Sequence, residues 1–353
     1  MRHPNEQEGL GPQPAIGRPG TPSRRALLSG GAGVAAGALL AGGLDLVAAP
    51  AASAQEVTGD RIVMLGVSGG PLLLGPHFQP AVALVVSGHT YLVDCGADTA
   101  RQITRAGLGF AALQHVFLTH RHPDHTAGLP ALRLLGWSYT PSHLAALTVW
   151  GPPPTQNTIH EVEEAFAEEV ALFEAIGSPA IPVVGRTLRY PAGRDGIYRV
   201  MEDERVIVDL TRVFHGPEAP YAYAYRFTIK ATGKKVVFSG DTTAPNANLI
   251  RLSHDVDVLV HEVMDVDAIA AIIGVAPPAQ QGPLRAHLLN SHADVRKVPV
   301  VAKAANARRV VMCHYIPAPV PPDVYLAQAQ LAAAQIGYTG AIVAPTDLDV
   351  IAI

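Results

Sequence analysis

The most constraining feature of this sequence is an apolar run, Leu113–Thr119, that leads directly into the segment His120–His125, HRHPDH. Three imidazoles and one carboxylate lie within these six residues. Imidazole nitrogens and carboxylate oxygens suit a divalent ion such as zinc. Four such side chains exceed what one tetrahedral ion can take while it keeps an open coordination position. The segment therefore predicts a site for two metal ions at the end of a β-strand.

After about residue 60, short β-type runs alternate with helical patterns. No internal repeat or low-complexity linker divides this region, so we expect a single domain over residues 55–353. Hairpins mixed with β-then-α units predict layers of sheet and helix. The predicted strands are Arg61–Gly66, Ala81–Ser87, Thr90–Asp94, Leu113–Thr119, Thr148–Trp150, Val206–Val213, Tyr223–Lys230, Lys234–Ser239, Val256–Val260, Arg309–Cys313 and Ala341–Ala344. The predicted helices are Thr155–Ile176, Asp294–Ala305 and Asp323–Ile336.

The helical pattern over Thr155–Ile176 is amphipathic. Its apolar residues recur at spacings of three and four, and its other face is rich in glutamate. The pattern predicts a helix that packs on the domain with a solvated acidic face.

The amino-terminal 54 residues differ from the rest. Arg24 and Arg25 precede an uncharged Ala/Gly/Leu-rich stretch, Ala26–Leu44, and Ala52–Ala54 has the form of a signal-peptidase site. Together these features resemble a twin-arginine export signal. We expect residues 1–54 to be a cleaved signal, the protein to be periplasmic, in the cell envelope or secreted, and no stable membrane span to remain. An uncleaved anchor and a disordered leader are the alternatives.

Composition limits the partners. The chain has 353 residues, a hydrophobic content of 48% and a net charge of −4. An acidic protein is a poor electrostatic match for a polyanion such as nucleic acid. Only Cys95 and Cys313 are available, which excludes a disulfide framework or a cysteine-rich metal cluster. We expect buried free thiols, although a bridge between the two is an alternative.

The spacing H-x-H-x-D-H after a strand resembles the metallo-β-lactamase superfamily, and the resemblance extends over nearly all of the chain after the leader. The further matching segments, in chain order, are Leu92–Gly96, His215 after a strand, Phe238–Thr242 and Met312–His314. The resemblance implies an αββα sandwich, in which two mixed β-sheets are flanked by helices and the metals lie at one edge of the sheets.

The same resemblance implies a ligand set for two zinc ions, with other divalent metals as alternatives. It assigns His120, His122 and His215 to one ion, Asp124, His125 and His314 to the other, and Asp241 to the bridging position. A carboxylate between two cations offsets their repulsion. Asp94 is expected to fix ligand geometry by hydrogen bonds without binding metal. Seven other histidines are expected to be ordinary surface or core residues: His77, His89, His115, His143, His160, His254 and His287.

Three segments resemble the ribonuclease Z and arylsulfatase-like branch of the superfamily. They are the glycine-rich Met64–Pro71, the strand ending at His215 that leads to Tyr223–Phe227, and His261-Glu262 after a strand. This branch is commonly dimeric, so a homodimer is a further expectation. Its tRNA-processing members carry a basic arm between Gly/Pro-rich flanks, which this sequence lacks. Transfer RNA is therefore an improbable substrate.

The implied reaction is attack by a metal-bound hydroxide on a small ester. Asp124 would orient the hydroxide, His261 would protonate the leaving oxygen as general acid, and Glu262 would orient His261. A buried structural role is the alternative for His261. His292, in the segment Ser291–Asp294, matches a position where this branch often has a histidine near the site.

We therefore expect an exported dinuclear zinc hydrolase that acts on a phosphodiester or an aryl sulfate. A lactonase or β-lactamase-like hydrolase, a non-catalytic protein of the same fold and an iron-dependent protein are the alternatives.

Overall fold

Two seven-stranded sheets form the centre of the computed structural model, which describes residues 59–70, 73–138, 142–191 and 195–353. The first sheet consists of β1 (Arg61–Gly66), β2 (Ala81–Val86), β3 (His89–Val93), β4 (Leu113–Phe117), β5 (Leu147–Gly151), β6 (Val183–Thr187) and β14 (Val350–Ala352), in the order β14-β1-β2-β3-β4-β5-β6. The second consists of β7 (Tyr198–Glu202), β8 (Val206–Val213), β9 (Ala222–Ile229), β10 (Lys235–Phe238), β11 (Val258–Met264), β12 (Arg309–Ile316) and β13 (Ala341–Val343), in the order β13-β12-β11-β10-β9-β8-β7.

Helices cover both sheets. They are α1 (Thr99–Arg105), α2 (Pro123–Thr126), α3 (Leu129–Leu135), α4 (Thr155–Ala165), α5 (Ala167–Ala175), α6 (Ala247–Leu252), α7 (Ile269–Val275), α8 (Pro278–Ser291), α9 (Val298–Ala304) and α10 (Pro322–Ile336), with short 3₁₀ turns at Phe110–Ala112 and Val295–Lys297. None of the described helices is both long and apolar enough to cross a membrane. The predicted export signal, residues 1–54, lies outside the described residues.

The main core lies between the two sheets. Phe117 of β4 packs edge-on against Phe227 of β9, at a ring-centroid distance of 5.2 Å, and Tyr225 lies 5.5 Å from Phe117. Strands buried on both faces read as continuous apolar runs, as AVALVV in β2 does. A second core, which includes Trp137 and Ile159, lies on the outer face of the first sheet. The predicted αββα sandwich is therefore confirmed.

Both sheets are mixed, and their parallel parts set the position of the site. β3 and β4 are parallel in the first sheet, and β10, β11 and β12 are parallel in the second. The carboxyl ends of parallel strands meet at one edge of a sheet. The segments predicted to bind metal follow β4, β8 and β10 or lie near the end of β12, and Asp94 follows β3, so this topology gathers the predicted site at one edge.

The predicted helix Thr155–Ile176 is wrong in its continuity. The helix is interrupted at Phe166, because its φ of −116° and ψ of 18° are not helical. The two resulting helices, α4 and α5, lie on either side of this residue. Ile159 of α4 is buried, whereas Phe173 of α5 packs at 6.3 Å from Trp137. Two separate anchoring points therefore replace one continuous apolar stripe.

Cys95 and Cys313 are free thiols, and Cys95 is fully buried. Burial raises the pKa of Cys95 to about 12. The structure thus agrees with the expectation of free thiols, and with burial for Cys95, whereas Cys313 is only partly buried. No bridge joins the two residues.

Candidate metal centre

The histidine-rich loop follows β4 and is held in place by main-chain hydrogen bonds. The amide of Cys95 donates to the carbonyl of His125 at 2.8 Å, and the amide of Gly128 donates to the carbonyl of Cys95 at 2.9 Å. A Cβ atom on Gly128 would lie 2.0 Å from the carbonyl oxygen of Gly96, so only glycine permits this approach. The loop is therefore attached to the end of β3 through backbone atoms.

Asp94 fixes the ring of His125. Its carboxylate accepts hydrogen bonds from the amide of Thr119 at 2.8 Å and from Nδ1 of His125 at 2.9 Å. A carboxylate that holds one ring nitrogen in this way directs the other toward a metal. This is the position expected for Asp94, outside the ligand set.

The carboxylate of Asp241 lies at the centre of the cluster. Its Oδ2 lies 3.6 Å from Nε2 of His120, 3.4 Å from Nε2 of His125, 3.7 Å from Nε2 of His215 and 3.2 Å from Nε2 of His314. One oxygen thus faces imidazoles from both expected halves of the site. This is the arrangement that a bridging carboxylate requires.

The residues fit two divalent ions. Nε2 of His120, Nε2 of His125 and Oδ1 of Asp124 are buried and have no hydrogen-bond partner in the protein. Polar atoms buried without a partner destabilise a fold, unless they serve a ligand. Among the described residues, the candidate ligand atoms form four groups, each within 4.8 Å. Two of them are His120, His122, His215 and Asp241, and Asp124, His125 and His314; the other two overlap these and add His292 and His287. The structure thus brings together all seven residues that the sequence suggested.

Electrostatics favour a cation in this cluster. Burial alone raises the pKa of Asp241, but the imidazoles of His314 and His125 outweigh it and hold the carboxyl pKa well below its usual range. Burial lowers the pKa of His215 to about 4. The charges of Asp241 and Asp124 instead raise the pKa of His125 and His314 against the effect of burial. A metal ion that binds these imidazoles therefore displaces their protons.

The glycine-rich segment after β1 closes the cluster from the first sheet. The amide of Gly70 donates to Oδ2 of Asp124 at 3.0 Å. A Cβ atom on Gly69 would lie 2.6 Å from Nδ1 of His314. This segment, which the sequence resemblance singled out, therefore contacts the second group of ligands directly.

The structure does not bring His261 into the cluster. Its ring is fully buried, and Nδ1 donates to the main-chain oxygen of Glu262 at 2.7 Å. It is absent from the groups of ligand atoms formed by the described residues. Side chains alternate between the two faces of a strand, so His261 and Glu262 point to opposite sides of β11. His261 therefore lies outside the ligand groups, with its Nε2 buried and without a hydrogen-bond partner in the described part of the chain, and its role as general acid stays a prediction.

Glu262 contacts His292 instead. Its carboxylate accepts from the amide of Thr242 at 2.6 Å, and its Oε2 lies 3.0 Å from Nδ1 of His292. The same nitrogen of His292 lies 3.9 Å from Oδ2 of Asp241. His292, which follows α8, is thus the histidine that lies beside the metal ligands and is held by Glu262.

Burial shifts the pKa of both Glu262 and His292. It raises the pKa of Glu262 to about 7, with a further rise from the charge of Asp241. It lowers the pKa of His292 to about 3. Both shifts disfavour separated charges, so the pair is best described as sharing protons between a carboxyl group and an imidazole.

His287 also lies at the site, although the sequence gave no reason to select it. It is a half-buried residue of α8, its ring lies 5.8 Å from that of His122 and 5.6 Å from that of His292, and its Nδ1 contacts Glu218. Its flanking residues match none of the segments that carry the resemblance. Only the position of α8 over the site shows its proximity.

Two mixed sheets between helices, with a histidine and aspartate cluster at their shared edge, define a metallo-β-lactamase-fold hydrolase. The family model described as the beta-lactamase superfamily domain matches residues 89–315, and the chain belongs to this family.

Relatives and solved structures agree with this class. A ribonuclease Z of Mycobacterium bovis (strain BCG / Pasteur 1173P2) is 28% identical over 264 residues, covering 73% of this chain and 86% of that protein. The structure of human tRNase Z, short form, is similar with a TM-score of 0.58 and 20% identity, covering 83% of this chain and 99% of that one. Zn²⁺-bound PqqB from Methylobacterium extorquens is similar with a TM-score of 0.55 and 15% identity, covering 83% of this chain and 100% of that one. The expected resemblance to ribonuclease Z is thereby confirmed.

Proposed function

We propose that the protein is an exported dinuclear zinc hydrolase that cleaves a small ester, either a phosphodiester or an aryl sulfate. The observation that carries the proposal is the position of Asp241 Oδ2, which lies 3.2–3.7 Å from four imidazole nitrogens of the two ligand groups. Zinc suits this set of imidazoles and carboxylates. A solved protein of the same fold, PqqB, contains Zn²⁺.

When bound, two divalent ions supply an activated water and offset the negative charge that develops on the ester. The protein's own residues orient that water. Asp124 is the candidate for this role because its Oδ1 is buried without a protein partner while Oδ2 accepts from the amide of Gly70. The other oxygen, Oδ2, lies 3.4 Å from Nε2 of His125 and 3.4 Å from Nε2 of His314, which places the carboxylate beside the second group of ligands.

The leaving oxygen needs a proton, and His292 takes the role first expected of His261. Nδ1 of His292 is held by the carboxyl group of Glu262, so Nε2 is the atom that can donate. As Nε2 releases its proton to the leaving oxygen, the carboxyl proton of Glu262 can move to Nδ1. Glu262 thus replaces the proton that His292 gives up, and the pair returns to its starting state when water reprotonates it.

A small ester is favoured over transfer RNA. The chain has a net charge of −4, whereas RNA binding depends on cationic side chains that neutralise phosphates. The ribonuclease Z relatives support cleavage of a phosphodiester as the reaction class. They leave the size of the substrate open, so RNA belongs in the test as a competing substrate.

The test combines metal analysis with a substrate panel on the full chain. We expect about two zinc ions per chain and turnover of bis(4-nitrophenyl) phosphate or 4-nitrophenyl sulfate. The variant Asp241→Ala should lose metal and turnover together. The panel also includes a lactone, a β-lactam and a precursor tRNA. One iron per chain, or no turnover of either ester by zinc-replete protein, would contradict the proposal.

Export is tested separately by cell fractionation. Replacement of Arg24 and Arg25 by lysine should retain the protein inside the cell, because the twin-arginine pathway reads the arginine pair. Equal export of the wild type and the double variant would show that the leader has another role.

A further inference from the structure

A cavity of about 400 Å³ opens directly onto the metal centre. At one end it is lined by His122, Asp124 and His314, which belong to the ligand set, and by His292. Its opposite wall comes from the helices α7 and α8. A molecule whose reacting group lies at the metals would therefore place its remaining atoms between these helices.

The wall formed by the helices is apolar. Its apolar side chains are Ile272, Val275, Ala276, Leu284 and Leu288, with Ile316 of β12. Ile272, Leu288 and Ile316 belong to a small separate core under the two helices, and Leu284 packs against it. Val275 is 65% exposed at the surface. The apolar wall thus consists of a part that is packed on the core beneath the helices and a part, at Val275, that is exposed to solvent.

Charge limits what this cavity can bind. Among the described residues that line it, none is lysine or arginine, and α8 contributes two polar groups, Gln280 and His287, the second of which lies beside the ligand residue His122. A polyanion would need cations along its path. The only strong site for negative charge is the metal end. The lining therefore suits a molecule with one anionic head and an uncharged apolar body.

Size sets the scale of that body. An apolar cavity of about 150 Å³ holds one benzene molecule, and ordinary ligand pockets begin at about 300 Å³. The present cavity is about 400 Å³. A group of two fused rings, or an alkyl chain of similar volume, fits beside the reacting centre.

We infer that α7 and α8 form a specificity pocket for an apolar aryl or alkyl group of the ester, so that the substrate is a small hydrophobic ester with a single anionic centre. This inference deepens the proposed function and rests on it for the word substrate. The pocket itself is a binding property that can be measured without turnover.

Binding of two phosphonates to the zinc-loaded full chain tests the pocket. Methylphosphonate presents only the anionic head, and 1-naphthylmethylphosphonate adds the apolar body. Burial of the naphthyl group should tighten binding at least about 30-fold in isothermal titration calorimetry. It should also give a more negative heat-capacity change. Equal affinity for the two compounds overturns the inference, as does tighter binding of an RNA hairpin at physiological salt.

Variants locate the effect. Ala276→Phe fills the cavity and should reduce the affinity ratio of the two phosphonates to about 5-fold or less, since the naphthyl group loses its buried area. Leu284→Ala removes part of the wall and should lower the ratio by about 3- to 10-fold. Leu289→Ala is the matched control, because Leu289 lies on the same helix, is 41% exposed and is outside the lining. A ratio that Ala276→Phe leaves unchanged overturns the assignment.

Rates of ester hydrolysis provide a second, independent test of the pocket. Ala276→Phe should lower kcat/KM for bis(4-nitrophenyl) phosphate more than for methyl 4-nitrophenyl phosphate, because only the first can place an aryl group in the pocket while the other aryl group leaves. If no ester is hydrolysed but the naphthyl preference is present, the proposed activity fails and the pocket stands. If both esters are hydrolysed and Ala276→Phe slows them equally, the activity stands and the pocket fails.

Discussion

The two faces of β11 carry neighbouring side chains with different surroundings. Glu262 faces the metal cluster, where it accepts from the amide of Thr242 and holds His292. His261, one residue earlier, faces away and contacts the main-chain oxygen of Glu262. Both side chains are buried. Burial therefore does not separate the two residues, whereas the direction of the side chain decides which of them contacts the cluster.

The comparison also shows how a matching pair of residues can be misread. In sequence His261-Glu262 reads as one unit, in which the histidine does the chemistry and the glutamate orients it. A strand cannot present both neighbours to the same side. The histidine that completes the pair comes from 30 residues further on, after α8.

Among substitutions of the residues on and near β11, His292→Ala is expected to have the largest effect on kcat/KM. Loss of the proton donor should lower kcat/KM by about 100-fold or more for esters with a poor leaving group, such as phenyl or alkyl esters. The loss should be much smaller for 4-nitrophenyl esters, because a stable leaving anion needs little protonation. Zinc content should not change, since His292 is not in the proposed ligand set.

Glu262→Gln should show the same dependence on the leaving group with a smaller loss, because glutamine can hold Nδ1 but cannot supply a proton. An equal loss for good and poor leaving groups would indicate that the pair only supports the structure. Loss of zinc in His292→Ala would instead make His292 a ligand.

The smallest effect is expected from His261→Ala, the control on the other face of the same strand. Its kcat/KM should stay within about 3-fold of the wild type for both kinds of ester, which is below the range of general acid catalysis. The thermal midpoint should fall, because the substitution leaves a cavity in a buried position. A large loss that depends on the leaving group would restore His261 as the proton donor and refute the assignment to His292.

The sequence allowed the ligand set to be proposed because its members lie in short segments that end strands. Four of the seven residues lie within the six-residue segment His120–His125, and His215, Asp241 and His314 follow in an order that the resemblance specifies. Most strands could also be predicted from the sequence, and β1 and β8 have the predicted bounds. Apolar runs of this kind are set by burial between the sheets, which is a local signal.

The features of the site that could not be predicted from the sequence depend on contacts between distant segments. The sequence of α8 shows no clear amphipathic period, and α8 contains Pro283 within it. Its apolar side chains pack on a small satellite core and line a cavity wall, so no single apolar stripe marks this helix. The direction of His261 and the proximity of His287 depend on register and on the docking of α8, which no local pattern encodes.

The main-chain attachment of the metal loop has a consequence for how such a protein can be altered. The amides of Cys95 and Gly128, together with the close approach of Gly96, position the loop without using the side chains that bind the metals. These amide protons should be among the slowest to exchange with deuterium. The donor side chains can then be replaced one at a time on a scaffold that keeps its shape. Metal preference is thus open to redesign at this site independently of the fold.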